Sequence, residues 1–337
     1  MLKKRYLEKE RGQQIMEIAP PFPKIVKIDI CDTCNYSCIF CPQAYQKGRR
    51  GCIDDSVCLR VIEESRKGGA EELALSSTGE PLLNRNLEKY AAFAKKIGYK
   101  YIFFNTNGYL LDRERSRKII ESGVDSVKIS INAGRDSYYL IHGVDAYERI
   151  LANIKGFDEE RKRTKSSCKL YVSFISTKKT EKQINEVRKD TESYIDEFIY
   201  MKANNRGGLV SNFDSELYEG NDEFSYSYPC SQLFNNVYIT ADGYLDACCQ
   251  DFDQKMIIAD LNTTSVIDAW NCEAFRELRK RYIEKNLNGT LCVNCLGWDT
   301  CAEICPLNSE YSGYETDALR QKSLEERIKK LTTKGQK

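Results

Sequence analysis

Histidine is almost absent, with His142 the sole one in 337 residues. Zinc hydrolases and Ser-His or Cys-His catalysts would all have to use it. It sits in the unpromising stretch Tyr139-Leu140-Ile141-His142-Gly143 and reads as structural or incidental. An excess of charge of either sign is also missing, since 51 Lys plus Arg face 50 Asp plus Glu. Nothing global therefore draws the chain to nucleic acid or to an anionic membrane surface. No run of about 18 apolar residues occurs, so there is no candidate membrane span. The basic start, Met1 to Gln14, is followed by no apolar stretch or small-residue cleavage site, and the expectation is a cytoplasmic protein.

Against these gaps stand 15 cysteines. In a reducing compartment an odd number of thiols is a poor disulfide framework, which leaves metal or redox chemistry as the leading explanation. With 41% apolar and 30% charged residues the chain is globular and long enough to bury a sizeable core, as one large domain or two ordinary ones.

From residue 24 to about 205 apolar, β-prone runs alternate with helical periodicity. Strands are predicted at 24–30, 72–76, 101–105, 126–131, 169–175 and 197–201. Between them a helix is expected near Asp55 to Lys67, while Leu87, Tyr90, Ala91, Ala94 and then Tyr147, Ile150, Leu151, Ile154 follow the i, i+3, i+4, i+7 rule. Gly68, Gly98 and Gly123 are placed to close three helices just before the next strand. Such units imply an α/β fold with a parallel sheet and right-handed crossovers. Six are too few for a closed eight-stranded barrel. After a polar, Gly/Asn/Ser-rich connection at 206–229, Asp242-Gly243 between alternating apolar residues predicts a two-residue hairpin, and helical spacing resumes from Ser265 to Lys285.

Cys34, Cys38 and Cys41 form a CX3CX2C triplet directly after the first strand. Three thiolates on one loop can each hold one iron of a cubane and leave the fourth iron open to a ligand. Their place at the C-terminal end of a parallel strand is where α/β sheets build active sites. A zinc site would want a nearby fourth ligand, and Cys31 could supply one. Cys52, Cys58 and Cys168 read as structural.

The triplet resembles that of the radical SAM superfamily, and three further strand-end motifs agree. Ser76-Ser77-Thr78-Gly79-Glu80-Pro81 is similar to the family's GGEP motif, with Thr78 in place of the first glycine; Asn105-Thr106-Asn107-Gly108 ends the third strand, and Ser130-Ile131-Asn132 closes the fourth. The resemblance covers roughly residues 24–205 and implies a partial (β/α)6 TIM-like barrel. It also implies a 4Fe-4S cluster on the triplet, with S-adenosylmethionine (SAM) chelated to the open iron and cleaved to a 5'-deoxyadenosyl radical. Phe40 would lie near the adenine, Thr78, Gly79 and Glu80 would hold the SAM ammonium, and Ser130 and Asn132 would meet its ribose and carboxylate.

Cys230, Cys248, Cys292, Cys295, Cys301 and Cys305 form a second set, CX12GX4C followed by CX2CX5CX3C. It resembles the SPASM extension of the same superfamily, a small Cys-rich α+β domain carrying auxiliary iron-sulfur clusters and expected here at 230–310. The N-terminal extension at 1–23 and a helix with a basic tail at 311–337 flank the two. The seventh cysteine usual in that extension is missing after Cys305. Either Cys230, Cys248, Cys292 and Cys295 hold one auxiliary cluster, or Cys305 returns to the first cluster and Cys292, Cys295 and Cys301 hold a second. Cys249 is a possible substitute for its neighbour, and Cys272 reads as helix packing. A structural zinc ribbon, and with it a non-catalytic binding module, is the alternative that CX2C pairs leave open.

The resemblance implies hydrogen abstraction from an unactivated carbon and an electron donor such as a flavodoxin or ferredoxin. An auxiliary cluster suits a two-electron oxidation of a small alcohol, sugar or cyclitol, with Arg206 a candidate base. Modification of a peptide is the alternative.

Overall fold

The computed structural model describes residues 17–44, 51–203 and 232–294. Six strands alternate with helices: β1 (Ile25–Ile28), α1 (Asp55–Gly68), β2 (Glu72–Ala74), α2 (Leu87–Lys96), β3 (Tyr101–Thr106), α3 (Arg113–Glu121), β4 (Ser126–Ser130), α4 (Tyr138–His142), α5 (Tyr147–Arg163), β5 (Lys169–Ser176), α6 (Ile184–Thr191) and β6 (Glu197–Lys202). All six strands are parallel and neighbour one another in chain order. That is the partial (β/α)6 barrel expected from the sequence.

One face of the sheet is apolar because alternate strand residues turn toward the helices. Val26, Ile28, Leu73, Ile102, Phe104, Val127, Ile129, Leu170, Val172 and Phe174 are fully buried there. The helices start and stop by local chemistry. Asp54 caps α1, its side chain accepting from the N–H groups of Ser56 and Val57. Gly69, not Gly68, ends that helix in the left-handed conformation at φ 111°. Gly68 is small for another reason, since a Cβ there would lie 2.9 Å from the Phe22 ring.

The C-terminal region adds α7 (Gln232–Asn235), β7 (Asn236–Ile239), β8 (Tyr244–Asp246), β9 (Ile257–Asp260), α8 (Val266–Trp270) and α9 (Glu273–Ile283). These strands have no sheet of their own. β7 pairs in parallel with β1, and β8 and β9 follow antiparallel, so one nine-stranded sheet runs through the described chain. The hairpin loop has three residues rather than two: Thr240 is still paired with Tyr244, and Gly243 takes φ 81° to close the turn.

Helical spacing from Ser265 to Lys285 is broken at Asn271-Cys272. The break lets the fully buried Arg279 donate to the carbonyls of Trp270 (2.9 Å) and Leu233 (2.8 Å) and to Asn271 Oδ1 (2.8 Å), with its guanidinium 3.8 Å from the Phe275 ring centroid. Trp270 Nε1 in turn donates to the carbonyls of Pro20 and Pro21, each at 3.1 Å, which pins the chain ahead of β1. Glu64 on α1 accepts from the Val266 N–H at 2.9 Å. The first helix of the barrel and the Cys-rich region are thereby fixed to each other. No helix among the described residues is long and apolar enough to cross a membrane.

Candidate functional site

The strand β1 runs out into the loop carrying Cys34, Cys38 and Cys41. Two main-chain bonds lay this loop against the end of α4, from Ser37 N to the His142 carbonyl (3.1 Å) and from Ile39 N to the Ile141 carbonyl (3.0 Å). The Tyr36 N–H points at Cys34 Sγ at 3.4 Å. Burial pushes the Cys38 thiol well above its ordinary pKa, and the nearby Cys41 and Cys34 push it further. Three thiols crowded so closely resist ionising together unless a cationic centre joins them. This donor set fits a cluster that takes one thiolate per iron.

His142, read from the sequence as incidental, lies at this site. It is buried, its Nδ1 stands 3.1 Å from Cys38 Sγ, and its Nε2 accepts from the Asn132 N–H at 3.3 Å. Burial pulls its pKa down to about 3, so the ring is neutral. Phe40 is turned onto this imidazole edge-on, with ring centroids 6.1 Å apart. Neither the histidine nor its partners Tyr36 and Tyr138 were legible from local sequence.

The Ser76 to Pro81 segment packs directly on the exit from β1. A Cβ on Gly79 would run into the Cys31 carbonyl and come within 2.6 Å of the Thr33 carbonyl, so only glycine fits. Glu80 N donates to the Thr33 carbonyl at 2.8 Å. The Glu80 carboxylate turns into the protein. Oε1 accepts from Thr106 Oγ1 (2.6 Å) and Leu82 N (3.0 Å), and Oε2 from Asn107 N (2.7 Å). Burial raises its pKa to about 7 against these lowering bonds. Its acid ties the exits of β2 and β3 together, and Asn107 continues the tie with a 2.7 Å bond to Asn35 beside Cys34.

Asp29, which no local motif marks, sits at the end of β1 and is buried. One carboxylate oxygen, Oδ2, accepts from the Thr78 N–H (3.2 Å), the Thr78 hydroxyl and the Tyr238 hydroxyl (3.4 Å) of β7. The other oxygen, Oδ1, has no hydrogen-bond partner among the described residues. Burial raises the Asp29 pKa to about 7, and the charge of Asp32 adds to the rise while Thr78 opposes it.

Asn132 is likewise built into the scaffold, its Oδ1 accepting from Ile175 N at 2.8 Å. Ser130 faces Ser173 across the sheet at 3.4 Å between hydroxyls. The register places them on the concave side, opposite the helices, in rows with Asn105, Lys128 and Tyr171. An eight-stranded barrel fills its interior with Val, Ile and Leu. Here the corresponding face mixes these polar residues with Ala74, Phe103 and Ile199.

Of the second cysteine set, Cys248 and Cys292 are described and both are half-buried. Cys248 follows β8, where its N–H donates to Asp246 Oδ1 (3.0 Å) and its sulfur receives the Gln250 N–H (3.3 Å). Cys230, Cys295, Cys301 and Cys305 lie outside the described residues, as does Arg206. Cys249 is directed to Gln232 Oε1 at 3.8 Å, which also accepts from Lys27 of β1 (2.9 Å). Cys272 caps α9 rather than lying inside a helix. Cys31 and Cys52, 21 positions apart, meet across a lone antiparallel bridge with sulfurs 3.2 Å apart, a pairing that the sequence spacing did not reveal.

Comparison with known proteins agrees with this geometry. Residues 28–189 match the model of the radical SAM superfamily, and residues 230–296 match that of an iron-sulfur cluster-binding domain, SPASM. A probable GTP 3',8-cyclase of Saccharolobus solfataricus is 33% identical over 131 residues, 39% of this chain and 42% of that protein. The chain thus spans about two fifths of the length of such curated relatives. Among solved structures, Streptococcus suis SuiB bound to precursor peptide SuiA has a TM-score of 0.65 at 16% identity, covering 95% of this chain and 79% of that one. BtrN in complex with AdoMet and 2-DOIA has a TM-score of 0.56 at 19% identity, covering 83% of this chain and 96% of that one. At such identities the likeness is one of fold. The chain belongs to the radical SAM superfamily, with a C-terminal SPASM domain, and the two together imply a 4Fe-4S cluster with SAM and auxiliary iron-sulfur ligation.

Proposed function

We propose that the protein oxidises a small polyhydroxylated substrate by two electrons, converting a carbinol carbon to a carbonyl. The observation that carries this reading is the mixed lining of this face, where Lys27, Asn105, Lys128, Ser130, Tyr171 and Ser173 stand beside Ala74, Phe103 and Ile199 instead of a wholly apolar filling. Lys27 meets Gln232 and Ser130 meets Ser173 across this face, and pockets that combine such polar groups with apolar walls suit a sugar or cyclitol. BtrN, whose complex holds AdoMet and 2-DOIA, is matched over 96% of its length, which supports the same class.

Loss of two electrons from a carbinol removes a hydrogen atom, a proton and an electron. With Cys34, Cys38 and Cys41 holding the cluster, bound SAM would supply the hydrogen-abstracting radical, and an auxiliary cluster on Cys248 and Cys292, with Cys230 and Cys295, would take the electron. The proton is the chain's own task. Asp29 is suited to it, because it lies at the seam between β1 and β7, offers an unpartnered oxygen, and has its pKa raised to about 7. Phe40, Thr78, Gly79, Glu80, Ser130 and Asn132 shape the SAM pocket in this reading. Glu80 and Asn132 do so by holding the strand exits in place, since their side-chain oxygens are engaged with protein. A one-electron donor such as a flavodoxin or ferredoxin completes the system.

A peptide substrate is the second reading, and it draws on the TM-score of 0.65 to SuiB with its precursor peptide. Deuterium placed on each carbinol carbon of candidate cyclitols and sugars separates the two. Transfer into 5'-deoxyadenosine, with a product two mass units lighter for the unlabelled substrate, supports the small-alcohol reading. Transfer from a labelled peptide and from none of the alcohols overturns it.

A further inference from the structure

We propose that His142 donates a hydrogen bond from Nδ1 to the Cys38 thiolate and so sets the reduction potential of the cluster on Cys34, Cys38 and Cys41. The inference rests on the reading that these three cysteines hold that cluster.

The direction of the bond follows from a group that can act in only one way. The Asn132 main-chain N–H can donate but not accept, and it points at His142 Nε2 at 3.3 Å. Nε2 is therefore the lone-pair nitrogen, and the proton of the neutral ring sits on Nδ1. That nitrogen is 3.1 Å from Cys38 Sγ, within reach of an N–H···S bond to a charged sulfur. No other histidine exists in the chain to take this part.

The ring is held where it stands. Tyr138 lies against it at a tilt of 37° with centroids 4.4 Å apart, and Tyr36 and Phe40 meet it edge-on at 5.6 and 6.1 Å. The two main-chain bonds from Ser37 and Ile39 to the end of α4 fix the cysteine loop to the same helix, so donor and acceptor move together. The bond from the Asn132 N–H occupies Nε2 and fixes the ring, and the nitrogen that this bond does not use is the one that faces the sulfur.

A donor aimed at a ligand sulfur favours the reduced cluster, which carries one more negative charge. It raises the potential and brings it within reach of a weaker one-electron donor. One electron enters the cluster, and the proton stays on Nδ1, so no bond is formed or broken.

The single histidine makes the test clean. The full chain, purified without a histidine tag, is labelled with 15N-histidine, loaded with iron and sulfide under anaerobic conditions, reduced, and examined by pulsed EPR. The expected result is one weakly coupled nitrogen, belonging to the species whose spectrum changes when SAM is added. His142→Phe should lose that coupling and lower the potential of this cluster by about 59 mV, a tenfold change in its one-electron equilibrium, with the iron content and the auxiliary signals retained. His142→Gln, whose amide can still donate, should recover part of the shift. A loaded, SAM-responsive cluster with no nitrogen coupling overturns the inference, as does a coupling of the size given by a direct iron–nitrogen bond. Failure of the SAM-responsive signal to depend on Cys34, Cys38 and Cys41 would instead overturn the cluster assignment on which it rests.

Discussion

Replacing Asp29 by Asn removes one buried charge and keeps an oxygen for the Thr78 donors. The carboxyl has an ordinary pKa of 3.8 in the unfolded chain and about 7 in the folded one, raised chiefly by burial. Between these values the folded state holds a proton that the unfolded state has released. Wild-type stability therefore falls as pH rises through this window and levels off above about pH 7. From about pH 5.5 to about pH 8.5 the folded group moves through about 1.5 units of that window, or about 2 kcal/mol at 1.36 kcal/mol per unit. The Asn variant has no such titration. Any fixed cost of its amide is the same at both pH values and cancels in the difference. Denaturant unfolding of both proteins at the two pH values, under anaerobic conditions, should show the variant gaining about 2 kcal/mol on the wild type at the higher pH. A gap that does not change with pH would refute the buried, high-pKa carboxyl. The same variant tests the catalytic reading. Wild-type turnover should rise through about pH 7 as Asp29 ionises, and the variant should fall by at least about 100-fold in oxidised product while still releasing 5'-deoxyadenosine.

Gly79→Ala should lose about 3 kcal/mol and load less iron, because its Cβ meets fixed main-chain atoms of Cys31, Asp32 and Thr33. Gly156→Ala, in α5 with nothing within 4 Å, should gain about 1 kcal/mol in the same unfolding assay; equal effects at the two sites would refute the packing argument. Arg279→Met should cost about 3 kcal/mol, since the carbonyls of Trp270 and Leu233 lose a buried donor. Arg279→Lys should recover little of that, because a single ammonium cannot reproduce the planar fork, and a full recovery in thermal unfolding would contradict the geometry.

The barrel was legible because each of its six strands is a short apolar run whose alternate residues pack on helices, as Ile102 and Phe104 do in β3. The cysteine triplet was legible because its three members share one loop. What escaped was everything set by pairings distant in sequence. The parallel match of β7 to β1 joins residues about two hundred positions apart, and no local pattern announces it. The break at Asn271 follows from where Arg279 must place its guanidinium, which periodicity cannot register. Glu80 could be named from its motif, yet its direction depends on Thr106 and Asn107 at the end of another strand. His142 looked incidental in its own stretch and gains its meaning from Cys38, 104 positions away.

In the proposed function Cys34, Cys38 and Cys41 hold the cluster through which SAM is cleaved. Iron content and 5'-deoxyadenosine, measured together on the anaerobically reconstituted protein and on its Cys34→Ala, Cys38→Ala, Cys41→Ala variant with SAM and a strong reductant, test it most directly. The variant should lose about four iron atoms per chain, keep its auxiliary iron, and make no 5'-deoxyadenosine. Unchanged iron, or undiminished 5'-deoxyadenosine from the variant, would contradict this assignment.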